Sequence, residues 1–146
     1  MQWHLIAHQG IHCDELTVSF NENRQALRDK LAKRLNCTPS TYYPNEDDFK
    51  DHQANTHIRV RYENDEVVDI EFLAGNLSYN TINLHSGTTL THIESALAAL
   101  NMPLIETLWL GCGKDCAALA INIASQEDVG GDGDGIEWVI LSKYFK

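Results

Sequence analysis

Two alternating runs joined by three polar residues constrain this chain more than any other feature. Ile58, Val60 and Tyr62 alternate with Arg59, Arg61 and Glu63; after Asn64-Asp65-Glu66, Val68, Ile70 and Phe72 alternate with Asp69 and Glu71. A period of two gives a strand one apolar and one wet face, and two such runs around a short polar turn predict an antiparallel hairpin. On the wet face Arg59 and Arg61 are placed to meet Asp69 and Glu71, a cross-strand charge match.

The apolar face of such a hairpin needs cover. Leu27, Leu31 and Leu35 recur every four residues, with Arg24, Arg28, Lys30, Lys33 and Arg34 at other positions. This predicts an amphipathic helix of roughly four turns. Ser19 and Glu22 have capping-box spacing, Asn21 is a competing cap, and Asn36 and Pro39 end the helix. A second helix starts near Thr89 or Thr91, with Glu94 completing a capping box from Thr91. Its stripe is Leu90, Ile93, Leu97 and Leu100, and Asn101 and Pro103 stop it.

Around these lie shorter pieces. Trp3 to Ile11 alternates and reads as a strand, with Gly10 marking a bend or its end. Residues 16–20 and 81–84 are short apolar stretches, and 117–123 and 136–141 read as strands joined by the acidic glycine loop Glu127 to Gly135. Residues 36–57 read as a long connection, because Pro39, Pro44, Asn45 and Glu46-Asp47-Asp48 are loop chemistry. Tyr42, Tyr43 and Phe49 would anchor it. Strand, helix, linker and hairpin occur in that order in 16–73 and again in 82–141. The expectation is one domain, 1–146, of α+β class: a mainly antiparallel sheet covered by two amphipathic helices, built as a tandem helix–hairpin pseudo-repeat.

Several motifs fail on inspection. His4, His8 and His12 are spaced by four, but residues four apart along one strand lie about 13 Å apart, too far for one metal. Cys112 and Cys116 have three residues between them rather than the two of redox and zinc motifs. Gly111-Cys112-Gly113-Lys114 resembles the end of a phosphate loop, but position 108 is leucine and Asp115 would repel phosphate. Residues 130–135 resemble a calcium loop, yet position one is glycine and the twelfth position is Leu141. No nucleophile elbow or cysteine-enzyme signature is present. The sequence therefore predicts no metal and no cofactor.

Charge adds direction. Residues 1–45 hold five Lys/Arg and four Asp/Glu; residues 46–146 hold six and seventeen, so the net charge of −10 sits in the second part. Clustered positive charge, which nucleic-acid binding needs, is confined to the first helix, so nucleic acid is not an expected partner. No apolar run is long enough to span a bilayer and the N-terminus carries no leader pattern, which predicts a cytoplasmic protein with its four cysteines reduced.

The form of the hairpin, Tyr62-Glu63-Asn64-Asp65-Glu66-Val67 followed by Ile70-Glu71-Phe72, resembles small bacterial proteins with tandem helix plus β-hairpin units. Such proteins include immunity partners of secreted toxins and tandem-repeat β-lactamase inhibitors. The resemblance is one of pattern over most of the chain, carries no residue across, and implies function by protein binding.

The charge pattern leads the same way. Three acidic segments all lie in predicted connections, and if they share one end of the sheet they make a patch suited to a basic partner such as a toxin nuclease. The expected contact residues are Tyr42, Tyr43, Glu46, Asp47, Asp48, Phe49, Asp51, Glu63, Asp65, Glu66, Asp128, Asp132 and Asp134, with the aromatics as desolvated anchors. The alternative is a small enzyme or a ligand- or metal-binding protein, with a composite pocket between helices and sheet gathering His4, His8, His57, His85 or the cysteines. A homodimer formed through a sheet edge is a third reading.

Overall fold

The computed structural model describes residues 1–145, and among these the chain is α+β with mostly antiparallel sheets. It opens with β1 (Gln2–Ile6), β2 (Gly10–Cys13) and β3 (Leu16–Ser19), then α1 (Arg24–Leu31). A four-stranded meander follows: β4 (Asn36–Pro39), β5 (Glu46–Asp51), β6 (Thr56–Glu63) and β7 (Glu66–Ala74). After it come β8 (Asn76–Tyr79), β9 (Ile82–Asn83) and α2 (Leu90–Ala99). The last elements are β10 (Ile105–Glu106), β11 (Lys114–Cys116), β12 (Ile121–Ser125) and β13 (Ile136–Ser142).

One sheet has the order β3-β2-β1-β8-β9, with β1 and β8 parallel. The other has the order β10-β11-β12-β13-β7-β6-β5-β4, so the final strands of the two meanders, β13 and β7, form its antiparallel centre. One buried cluster joins both sheets and both helices, including Trp3, Ile11, Leu27, Leu31, Ile58, Ile70, Phe72, Ile93, Leu97 and Val139. No helix among the described residues is long and apolar enough to cross a membrane.

The hairpin of β6 and β7 has the expected faces. Ile58, Val60, Tyr62, Ile70 and Phe72 are buried, and Arg59 pairs with Glu71 and Arg61 with Asp69; the expected alternation breaks at a register shift beside the turn, where Val67 rather than Val68 stands opposite Tyr62 in the core cluster. Asn64 and Asp65 form the turn with φ of 51° and 60°. Two consecutive left-handed residues are what a two-residue hairpin turn needs to match strand twist, and Asn and Asp tolerate that region.

Elsewhere the boundaries differ from expectation. Residues 3–11 are a hairpin rather than one strand: the chain reverses after Ile6, and His4 faces His12 across β1 and β2. Gly10 is required there by close approach, since a Cβ would lie 1.9 Å from the Val18 carbonyl oxygen. Helix α1 has eight residues rather than about four turns. Glu22 does accept from the Ser19 amide, at 3.2 Å, but residues 21–24 are first held to the hairpin: Asn21 and Arg24 amides donate to Val67 and Asp65 carbonyls, and Val67 donates to Glu22. The helix can begin only after that, with Asn23 as its cap at 3.1 Å from the Ala26 amide. In α2 the cap is Thr89, which accepts from the His92 amide; Thr91 lies inside the helix, Glu94 pairs with Lys114, and Leu100 stays exposed.

The largest difference is residues 36–57. They carry β4 and β5 rather than a long connection, with Asp47 and Phe49 on the core face and Glu46, Asp48 and Lys50 on the other. An acidic strand is tolerated because its carboxylates meet guanidinium or imidazole groups. Asp47, wholly buried, receives Arg24 Nη2 at 2.8 Å and Arg28 Nη2 at 2.6 Å from α1.

Candidate functional site

Two surfaces carry chemistry. The first is the face of the eight-stranded sheet opposite the helices. Its first four strands form a ladder of charge: Arg61 binds Glu46 through Nε and Nη2 at 3.2 and 3.1 Å and Asp69 through Nη1 at 3.1 Å. Arg59 Nε lies 3.1 Å from Asp48 Oδ1, and His57 Nε2 lies 2.7 Å from the same oxygen. Glu71 receives what is left, with Arg59 Nη1 at 3.6 Å and Arg61 Nη2 at 3.8 Å, both beyond hydrogen-bond range. Burial pushes the Glu71 carboxyl up, and the two guanidiniums only partly oppose it.

Past Glu71 the same face becomes apolar, through Leu73, Ile140 and Trp138. Residues 107–113 fold over it. They are tied down by a polar network: Asp115 accepts from the Leu108 amide at 3.1 Å and from Asn122 Nδ2 at 3.0 Å, and that nitrogen also donates to the Cys112 carbonyl at 3.2 Å. Asn122 Oδ1 accepts from the indole nitrogen of Trp138 at 2.8 Å. Asn122 is buried and its amide is used at both ends, so it fixes the plane of the Trp138 ring. Between loop and ladder lies a cleft of about 660 Å³ lined by His57, Arg59, Glu71, Leu110, Cys112 and Trp138 among others.

The second surface is the end of that sheet where β6 turns into β7. The Tyr62 amide donates to the Asn45 carbonyl and Asn45 Nδ2 donates to the Tyr62 carbonyl, which places the 40–45 turn beside the 63–66 turn. Tyr42 and Tyr43 are 86% and 60% exposed, and Tyr144, half exposed on the other side, donates its hydroxyl to Glu63. Asp65 and Glu66, in the β6–β7 turn itself, are exposed.

The residues expected at a single partner surface are therefore divided. Tyr42, Tyr43, Glu63, Asp65 and Glu66 share this end. Phe49 and Asp47 are inside the core face and cannot touch a partner; Glu46 and Asp48 are taken up by the ladder. Asp51 lies at the opposite end of β5, opposite Thr56, and accepts from the Gln53 and Ala54 amides. The β12–β13 loop is also at that far end, since Ser142 rather than Ile136 pairs near the 63–66 turn; strands of this length separate the ends by roughly 25 Å. In that loop Asp128 exchanges hydrogen bonds with Ser125, and Asp134 accepts from the Thr91 amide at the start of α2, which holds its carboxyl below the usual range. Asp132 is exposed.

The histidines do not gather at one site, although the β1–β2 reversal brings together His4 and His12, which a single strand would have kept apart. His4 stacks on His12 with ring centroids 5.0 Å apart, His8 lies 3.0 Å from the Ala118 carbonyl, His57 joins the ladder, and His85 is buried edge-on to Phe72. Cys112 lines the cleft while Cys116 lies in the core, so the two face opposite sides of the sheet. Burial pushes the Cys37 and Cys116 thiols up, away from thiolate chemistry. Among the described residues no group of three or more His, Cys, Asp or Glu could hold a metal ion. The cleft of about 660 Å³ is on the face away from the helices, not between helices and sheet. The Trp138 platform was missed by sequence reasoning; its alternation with Ile140 was a signal, but its partner Asn122 is a long-range contact.

No protein-family model, curated protein or solved structure matches the chain.

Proposed function

We propose that this chain is a non-enzymatic protein-binding module of inhibitor or immunity type, whose partner is a basic protein such as a toxin nuclease. The observation that carries the reading is the sheet end at the β6–β7 turn, where Tyr42, Tyr43 and Tyr144 are exposed around Glu63, Asp65 and Glu66. Tyrosine offers large contact area at low entropic cost, and a ring of carboxylates steers a cationic surface towards it. The contact set shrinks to these residues, because the other acids expected at the surface are buried, paired or at the far end. The tandem pseudo-repeat belongs to the same proposal: the mirrored strand order about the β7–β13 pair, each meander preceded by a helix, supports it. A cytoplasmic location belongs to the same proposal.

The test is a pull-down with tagged full-length protein at low and high salt, run beside Tyr43→Ala and the Asp65→Asn/Glu66→Gln pair. A basic protein recovered in near-equal amount, weakened by salt and lost in both variants, is the expected result. Recovery that is indifferent to both variants would place the contact elsewhere, and recovery of nothing at either salt would sink the reading.

A further inference from the structure

We infer that the cleft at the β7–β13 seam is a binding site for a small organic ammonium ion carrying an aromatic or aliphatic body, with Glu71 as its counter-ion and the Trp138 ring as its platform. This site is separate from the tyrosine-rich sheet end and does not depend on the protein-binding reading.

The ladder is short of positive charge. Glu46, Asp48, Asp69 and Glu71 face two guanidiniums, and the short contacts of Arg59 and Arg61 go to the first three. Among the described residues no donor lies within hydrogen-bond distance of Glu71, although its side chain is only 17% exposed. A largely desolvated carboxylate that has two guanidiniums only at 3.6 and 3.8 Å, and no hydrogen bond, is under-satisfied, and a cation brought by a ligand would relieve it. Glu137, at the cleft rim, adds a further carboxylate, while His57 is held by Asp48.

The other charged group of the lining is Arg59, whose Nε is engaged by Asp48; the remainder of the cleft is apolar. Leu73, Leu110 and Ile140 give it apolar walls, and the ring of Trp138 is fixed before any ligand arrives by its bond to Asn122. A preset indole next to an anionic group is the pairing that recognises ammonium ions, through cation–π attraction and charge together. The volume of about 660 Å³ is in the small-ligand range and larger than one side chain of a partner would fill. An anion would meet Glu71 and Glu137, with Arg59 already held by Asp48, and a metal ion would find too few converging ligands among the described residues.

The test is titration of the full chain with phenethylamine at neutral pH, followed by amide chemical shifts and tryptophan fluorescence. 2-Phenylethanol and 3-phenylpropionate serve as neutral and anionic counterparts of similar shape. Saturable binding of the amine is expected, at least about tenfold tighter than the alcohol, since a charged hydrogen bond is worth that or more. Shifts should map to Leu73, Gly111, Cys112 and Trp138. Glu71→Gln should weaken the amine about tenfold or more and leave the alcohol unchanged. Should that variant unfold, Gly111→Leu replaces it: a Cβ there meets nothing within 4 Å, so the side chain fits the fold and crowds the cleft mouth. The proposal is overturned by no saturation with phenethylamine up to about 10 mM, by equal affinity for amine and alcohol, by shifts confined to another face, or by undiminished binding in Gly111→Leu.

Discussion

Arg28 Nη2 stands 2.6 Å from Asp47 Oδ1, so the helix α1 is fastened to the acidic strand β5 by a carboxylate with no solvent exposure of its own. Arg24 reaches the same carboxylate through Nε and Nη2, and its guanidinium also covers the ring of Tyr62 at 4.7 Å. Removing Asp47 would leave two cations against the core with no counter-ion. Asp47→Asn is therefore expected to cost about 3 kcal/mol, the scale for breaking a buried ion pair from one side. Urea denaturation of the two proteins at neutral pH measures it, and a loss near zero would mean that water reaches both guanidiniums.

The same pair predicts a pH window. Burial pushes the Asp47 carboxyl up, but hydrogen bonds from Arg28 and Arg24 outweigh it and hold the group at about 2, against an ordinary value of 3.8. A carboxyl lowered in the folded state stabilises fully above its unfolded pKa, and that stability disappears as pH falls through the folded one. The stability gap between wild type and Asp47→Asn should stay constant above about pH 5 and narrow towards pH 2. A gap independent of pH over this range would contradict the assignment.

The loop over the cleft depends on a different residue. Asn122 holds Trp138, Asp115 and the Cys112 carbonyl at once. Asn122→Leu keeps volume but leaves an indole N–H, a carboxylate oxygen and a carbonyl without partners, each a buried polar group whose loss of bonding costs about 1–3 kcal/mol. Faster hydrogen exchange at the Leu108 amide, bonded to Asp115, is expected before any global unfolding. Unchanged exchange there would show that Trp109 on Phe145 holds the loop unaided.

How much of this was readable beforehand follows from the range of the contacts. The β6–β7 hairpin was legible in faces, turn and charge pairing because alternation and Asn64-Asp65 chemistry are local. Residues 46–51 were not. Three successive acids carry a loop signature, and the groups that let them form a strand, Arg24, Arg28, Arg59 and Arg61, lie 11 to 23 positions away in the sequence. The reversal after Ile6 was hidden because Trp3, Leu5, Ala7 and Ile11 keep one parity through the turn, so periodicity continued where the strand did not. The candidate surfaces suffered the same way: local reading finds acidic segments, but only sheet register decides which end of a strand each one occupies.

Gly10 gives a backbone prediction with little ambiguity. Its Cβ would meet the Val18 carbonyl at 1.9 Å, and that carbonyl belongs to β3, which pairs with β2 at this point. A backbone atom cannot move aside as a flexible side chain can. Gly10→Ala should separate β2 from β3 and lower stability by more than the usual 1–3 kcal/mol of overpacking, about 3 kcal/mol or above. Thermal unfolding tests this, and a melting temperature equal to wild type would mean that the hairpin shifts freely.

His85 supplies the last prediction and a second pH window. It is buried against Phe72, with Nε2 3.4 Å from the Glu137 carbonyl and Nδ1 without a partner. Burial pushes its pKa down from 6.5, more than the carbonyls raise it. The unfolded chain then binds the proton more readily than the folded one, so the stability His85 gives is complete above pH 6.5 and is lost as pH falls through the lower folded value. This loss comes at a higher pH than that of Asp47, and the two can be separated in one titration. His85→Phe has no proton to gain and should flatten the part of the stability profile that begins to fall below about pH 6.5, while leaving the Asp47 limb towards pH 2 intact. A slope that survives in His85→Phe would assign the upper window to one of the other histidines.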